Sequence, residues 1–133
     1  MDLFNEFATD ENLEIDGRWV PFNAKTSFKI ARYGNKNFAR LFSRLYGKNK
    51  ATIDGKGEAA EAKADEVMIE VLAKTILVGW QGPVKIQGVD LGEYSVEGAK
   101  KALAIKEFRN WVRAQSENVE EYKAAKEEEE EKN

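Results

Sequence analysis

The chain has 133 residues, with no cysteine and no histidine. That length holds one ordinary hydrophobic core and not two. The missing residue types exclude a disulfide framework, a thiolate metal site and the commonest general base. A net charge of −3 hides a strong asymmetry: residues 18–56 carry ten bases and one acid, whereas residues 117–133 carry eight acids and three bases. Partner binding is expected to follow that asymmetry.

The opening residues show no positive stretch followed by an apolar one, and the longest apolar run, residues 75–80, falls far short of a membrane span. The expectation is a soluble protein of a reducing cytoplasm. Leu3, Phe4 and Phe7 are expected to pin the N-terminus to the core. Residues 14–33 read as a small antiparallel sheet: Asp16-Gly17 is a tight-turn signal, and Phe28, Ile30 and Arg32 alternate to one face. Gly34 breaks the strand and Asn35 is placed to cap a helix whose Phe38, Leu41, Phe42 and Leu45 recur at helical spacing. Gly47 is expected to stop it, leaving a polar loop over residues 47–57.

From Glu58 the Ala- and Glu-rich run begins a second helix. Between residues 67 and 80 it is apolar on most sides, which predicts a central buried helix over about 58–80, ended by Gly79 and Gly82-Pro83. Residues 84–94 suit a hairpin or an extended loop equally. Ser95 then caps a long C-terminal helix from about 96, with Ile105, Phe108, Val112, Val119 and Tyr122 on one stripe. The predicted fold is α+β and mostly α: a small N-terminal sheet packed on about three helices, forming one domain over 1–122. Residues 123–133 are expected to be an acidic extension, helical and solvated or disordered.

Catalysis finds little to work with. There is no Gly-rich phosphate loop, and the nearest carboxylate group, Asp65 and Glu66 with Glu70, reads better as a solvated helix face. The chain is therefore expected not to be an enzyme and to carry no cofactor or metal. The regular feature is basic: Arg32, Lys36, Arg40, Arg44 and Lys48 stand four residues apart, and from Lys36 onward they draw one positive stripe along a helix. Such a stripe docks a polyanion or an acidic protein surface, or else it is the solvated side of an amphipathic helix. A sequence pI of about 5.2 argues against nucleic acid. Trp19, Trp80 and Trp111 are expected in the core, with Trp80, beside Gly79 and Gly82, the most exposed. The candidate partner-binding residues are Arg32, Lys36, Arg40, Arg44 and Trp80.

The order of several segments resembles the phage tail assembly chaperone family of long-tailed bacteriophages. The resemblance runs through Asp2-Leu3-Phe4-Asn5-Glu6-Phe7-Ala8-Thr9-Asp10, Gly17-Arg18-Trp19-Val20-Pro21 and Ala31-Arg32-Tyr33-Gly34-Asn35. It continues through Leu77-Val78-Gly79-Trp80-Gln81-Gly82, Tyr94-Ser95, Phe108-Arg109 and Trp111-Val112. It implies a holdase that keeps the long helical tape measure protein soluble until the tail tube polymerises around it. The tail tube protein, a longer frameshifted form of the chain and further copies of itself are the other implied partners. Its place would be the host cytoplasm and not the mature virion. The alternatives are a small nucleic-acid-associated phage protein using the basic helix 32–48, or a structural tail or head-completion protein.

Overall fold

The computed structural model describes residues 1–124, and their architecture is α+β and mostly α. Two short helices lead, α1 (Leu3–Phe7) and α2 (Glu11–Asp16), each started by an aspartate whose carboxylate accepts first-turn N–H groups. The strands β1 (Arg18–Pro21) and β2 (Ser27–Ile30) form an antiparallel hairpin. Then come α3 (Lys36–Ile53), α4 (Glu58–Thr75), β3 (Leu77–Gln81), and the two-residue strands β4 (Lys85–Ile86) and β5 (Val89–Asp90). The helices α5 (Val96–Leu103) and α6 (Lys106–Ser116) and a 3-10 turn (Val119–Tyr122) complete the order.

The strand order β1-β2-β3 is antiparallel throughout, with Val20, Phe28 and Trp80 aligned across it and buried. These side chains form the inner face, and Ile30, Val71, Leu72, Ile76, Leu77, Leu103 and Val112 complete the core beneath it. The helix α4 lies at the centre, in contact with α3, α5 and β3. On the outer face the Trp19 ring crosses Lys29, whose ammonium is 5.9 Å from it, and reaches over Gly79. A side chain at Gly79 would press on Lys29, its Cβ 3.3 Å from that of Lys29.

Several boundaries differ from the sequence reading, each for a physical reason. Asp16-Gly17 does not turn a hairpin; Gly17, at φ 88°, ends α2, and residues 22–26 make the turn. The helix α3 runs through Gly47 to Ile53, because Leu45 and Ile53 pack against the core and offset the roughly 1 kcal/mol that an interior glycine costs. The central helix stops at Thr75, not 80. Residues 77–81 are instead the third strand: the vacant edge of β2 takes up their backbone groups, which a buried segment must satisfy. The C-terminal helix breaks after Leu103, where Arg109 donates to the Leu103 carbonyl at 2.8 Å and Ile105 starts α6. The choice over residues 84–94 falls to a hairpin, turning on Gln87 and Gly88, both at positive φ. Leu3, Phe4 and Phe7 do not enter the core but are exposed. Of the expected acidic extension, Lys123 is bridged to Thr9 and Ala124 donates to the Ala8 carbonyl, while residues 125–133 lie outside the described residues.

Two tyrosines bind distant segments together. The Tyr122 hydroxyl donates to the Ile30 carbonyl at 2.8 Å, and the Tyr94 hydroxyl is shared between the carbonyls of Leu77 at 2.7 Å and Ala73 at 2.9 Å. Burial raises the pKa of both, against the pull of the Arg18 guanidinium at Tyr122. The folded state therefore keeps these protons at a pH where the unfolded chain releases them, and stability must fall as pH rises. The contribution is complete below the unfolded value of about 10 and is lost as pH climbs toward the folded values. Thermal melts between pH 8 and 11 should show a falling Tm, with a shallower fall in the Tyr94→Phe/Tyr122→Phe protein. Equal slopes would remove the tyrosines as the cause.

Candidate protein-binding groove

The basic residues picked out by spacing do not form one site. Arg32 precedes α3 and is committed elsewhere: its guanidinium lies 2.7 Å from Glu14, which also accepts the Thr9 hydroxyl. Its carbonyl accepts from the Asn35 side chain at 2.9 Å, and Asn35 in turn caps α3 through Asn37 and Phe38. Arg32 thus fixes α2 against the entry to α3. Lys36, Arg40, Arg44 and Lys48 do share one exposed side of α3. Trp80 is buried, at 7% exposure, with its indole N–H donating to the Gly92 carbonyl at 3.0 Å. Its expected exposure fails because the segment is a strand whose inward side carries Trp80 against Phe28 and Tyr94. Trp19, expected inside, is 44% exposed.

The carboxylates considered for catalysis are paired with bases. Glu66 sits 3.1 Å from Lys63, Glu70 lies between Lys74 and Lys100, and Asp65 reaches Arg109 at 4.0 Å. Among the described residues no three histidine, cysteine, aspartate or glutamate side chains gather to hold a metal ion. No described helix is long and apolar enough to cross a membrane.

What the fold assembles instead is an apolar groove of about 220 Å³. Phe22 and Phe28 line it from the first hairpin, Val84 and Ile86 from the segment after β3, and Ile105 and Phe108 from the corner between α5 and α6. The turn is held in place by Asn23, whose side-chain oxygen accepts the N–H groups of Lys25 and Thr26. Thr26 then donates through its hydroxyl to the Pro83 carbonyl at 2.8 Å, tying the hairpin to the far wall. Gly82 is required at that junction, at φ 86°, because a Cβ there would run into the Lys25 carbonyl. Phe22 stands edge-on to Trp111 at 5.4 Å and to Phe28 at 6.1 Å, so its ring is oriented although 57% exposed.

Chemically the groove can hold apolar groups. Its polar lining is confined to Asn23, Thr26 and Lys85, with no carboxylate to move a proton. Its volume is below the roughly 300–1,000 Å³ of typical small-molecule sites, which favours side chains of another polypeptide. Sequence reasoning missed it because its walls come from three separated segments and no periodicity links them. The available signal was Phe22, an aromatic following Pro21 at a turn, and Val84 and Ile86 alternating just after Gly82-Pro83.

In comparison with protein families, the family described as YdaY prophage protein matches residues 33–133. No curated protein and no solved structure matches.

Proposed function

The chain belongs to the YdaY prophage protein family, and from that premise we propose that it is a non-catalytic assembly chaperone of a phage tail. It holds apolar faces of the long helical tape measure protein in the groove and acts without chemical turnover. The groove carries the reading: an open apolar recess, rimmed by an exposed Phe22 and Ile105, is the surface an amphipathic helix needs to lay its apolar side against. A helical client lacking its tube exposes such faces along its whole length, and many copies of a small protein cover them by weak contacts that still release. Action in the host cytoplasm and absence from the finished particle follow from that role, as does the tail tube protein as the competitor that displaces the chaperone.

Coexpression with the tape measure protein of the same prophage tests this. The client should remain in the soluble fraction with the natural chain and precipitate with Phe22→Asp/Ile105→Asp, whose own melting temperature should change little because Phe22 and Ile105 are 57% and 47% exposed. Protection by both proteins would move the binding surface elsewhere, and protection by neither would end the chaperone reading. The exposed cations of α3 favour one competing role, nucleic-acid binding, which would appear as affinity falling steeply with salt. A structural tail or head-completion protein would instead be recovered in purified virions.

A further inference from the structure

Two surfaces of opposite character lie outside the groove. On α3, Lys36, Arg40, Arg44 and Lys48 are exposed, and none of them has an ion-pair partner among the described residues. Asn37, Arg40, Leu41 and Arg44 border an open recess of about 280 Å³ on that face, with the half-buried Leu41 among its walls.

The helix α1 is the complement. Leu3, Phe4 and Phe7 fall on one side of it and are 62%, 75% and 66% exposed. Asp2 and Glu6 accompany them, and the helix contains no base. The segment is also anchored at its far end. The Asp10 N–H donates to the Tyr122 carbonyl at 2.9 Å, the Ala124 N–H donates to Ala8 at 3.2 Å, and the Lys123 ammonium lies 5.6 Å from the Phe7 ring. Apart from the Lys123 ammonium beside Phe7, the apolar side of α1 is presented outward and left largely uncovered by the other described residues.

We propose that α1 of one copy docks on the basic face of α3 of a second copy. Phe4 and Phe7 cover Leu41 between the guanidinium groups of Arg40 and Arg44, which favour an aromatic face, and Glu6 meets the cationic row. A polyanion would neutralise the row but leave Leu3, Phe4 and Phe7 in water; an acidic, aromatic helix satisfies both. The two docking surfaces are different patches of one chain, so the contact is head-to-tail and propagates into a ring or a row of copies. The inference does not depend on which client fills the groove.

Sedimentation velocity on the full chain over a concentration series tests it. The natural protein should exceed two chains in mass as concentration rises, and added salt should reduce the association. Phe4→Ser/Phe7→Ser removes the aromatic anchors of the docking helix and Arg40→Glu/Arg44→Glu removes their seat. Each should sediment as one chain, with circular dichroism unchanged because all four positions are exposed. An equimolar mixture of the two variants retains one intact interface and should form two-chain species and nothing larger. A natural protein that stays a single chain, variants that associate like it, or a mixture that remains unpaired would each overturn the proposal.

Discussion

Tyr122→Ala is expected to destabilise the protein by about 3–5 kcal/mol, the range found for truncating a large buried side chain. The tyrosine is fully buried, so its removal leaves a cavity that the surrounding sheet and helices fill only in part. It also deprives the Ile30 carbonyl of a donor and the Arg18 guanidinium, 5.2 Å from the ring centre, of the face on which it rests. Denaturant unfolding measures the loss. Tyr122→Phe, which keeps the ring, should cost only about 1 kcal/mol, the net worth of one hydrogen bond. If the alanine protein unfolds within 1 kcal/mol of the natural one, the C-terminal turn does not lock the sheet as described.

Trp80→Ala should be comparably damaging, at about 3–5 kcal/mol. The indole fills the space between Phe28, 6.3 Å away, and Tyr94, 5.1 Å away, both met edge-on, and its N–H secures Gly92 in the loop before α5. The ring also lies against Gly98, where an added Cβ would come within 3.1 Å of it, so the first turn of α5 is seated on the tryptophan. Arg40→Ala/Arg44→Ala, on an exposed face, should shift stability by less than about 0.5 kcal/mol at each site. Equilibrium unfolding of the two proteins side by side separates a core residue from surface ones. A Trp80→Ala protein as stable as the arginine variant would return Trp80 to the surface.

The parts legible in the sequence were those governed by neighbours in the chain. Asn35 before a 3.6-residue apolar recurrence marked the start of α3, and Ser95 marked α5; both caps form as their chemistry requires. The strand β3 was illegible because residues 67–81 are buried on most sides, and when both sides of a segment are apolar the period that separates helix from strand disappears. Its identity is set by β2, whose Phe28 and Lys29 stand opposite Trp80 and Gly79 and lie far away in sequence. The same distinction governs the surfaces. The cationic row of α3 is a helical repeat and could be read directly, apart from Arg32, which precedes the helix and is claimed by Glu14. The groove is made by three segments far apart in the chain meeting in space, held by contacts such as Thr26 with Pro83, and nothing local announces it.

The central position of β2 has a consequence for the order of events during synthesis. Its partner β1 leaves the ribosome before it, so both strands of that hairpin are available together. The opposite edge of β2, carrying Phe28 and Ile30, has to wait until α3 and α4 have been made and β3 follows. Throughout that interval a nascent chain presents an open, apolar strand edge, the template from which intermolecular pairing begins. The packing of α3 on α4 therefore serves as more than scaffolding: it folds the intervening helices back on each other, so that β3 is returned to that edge over a short path.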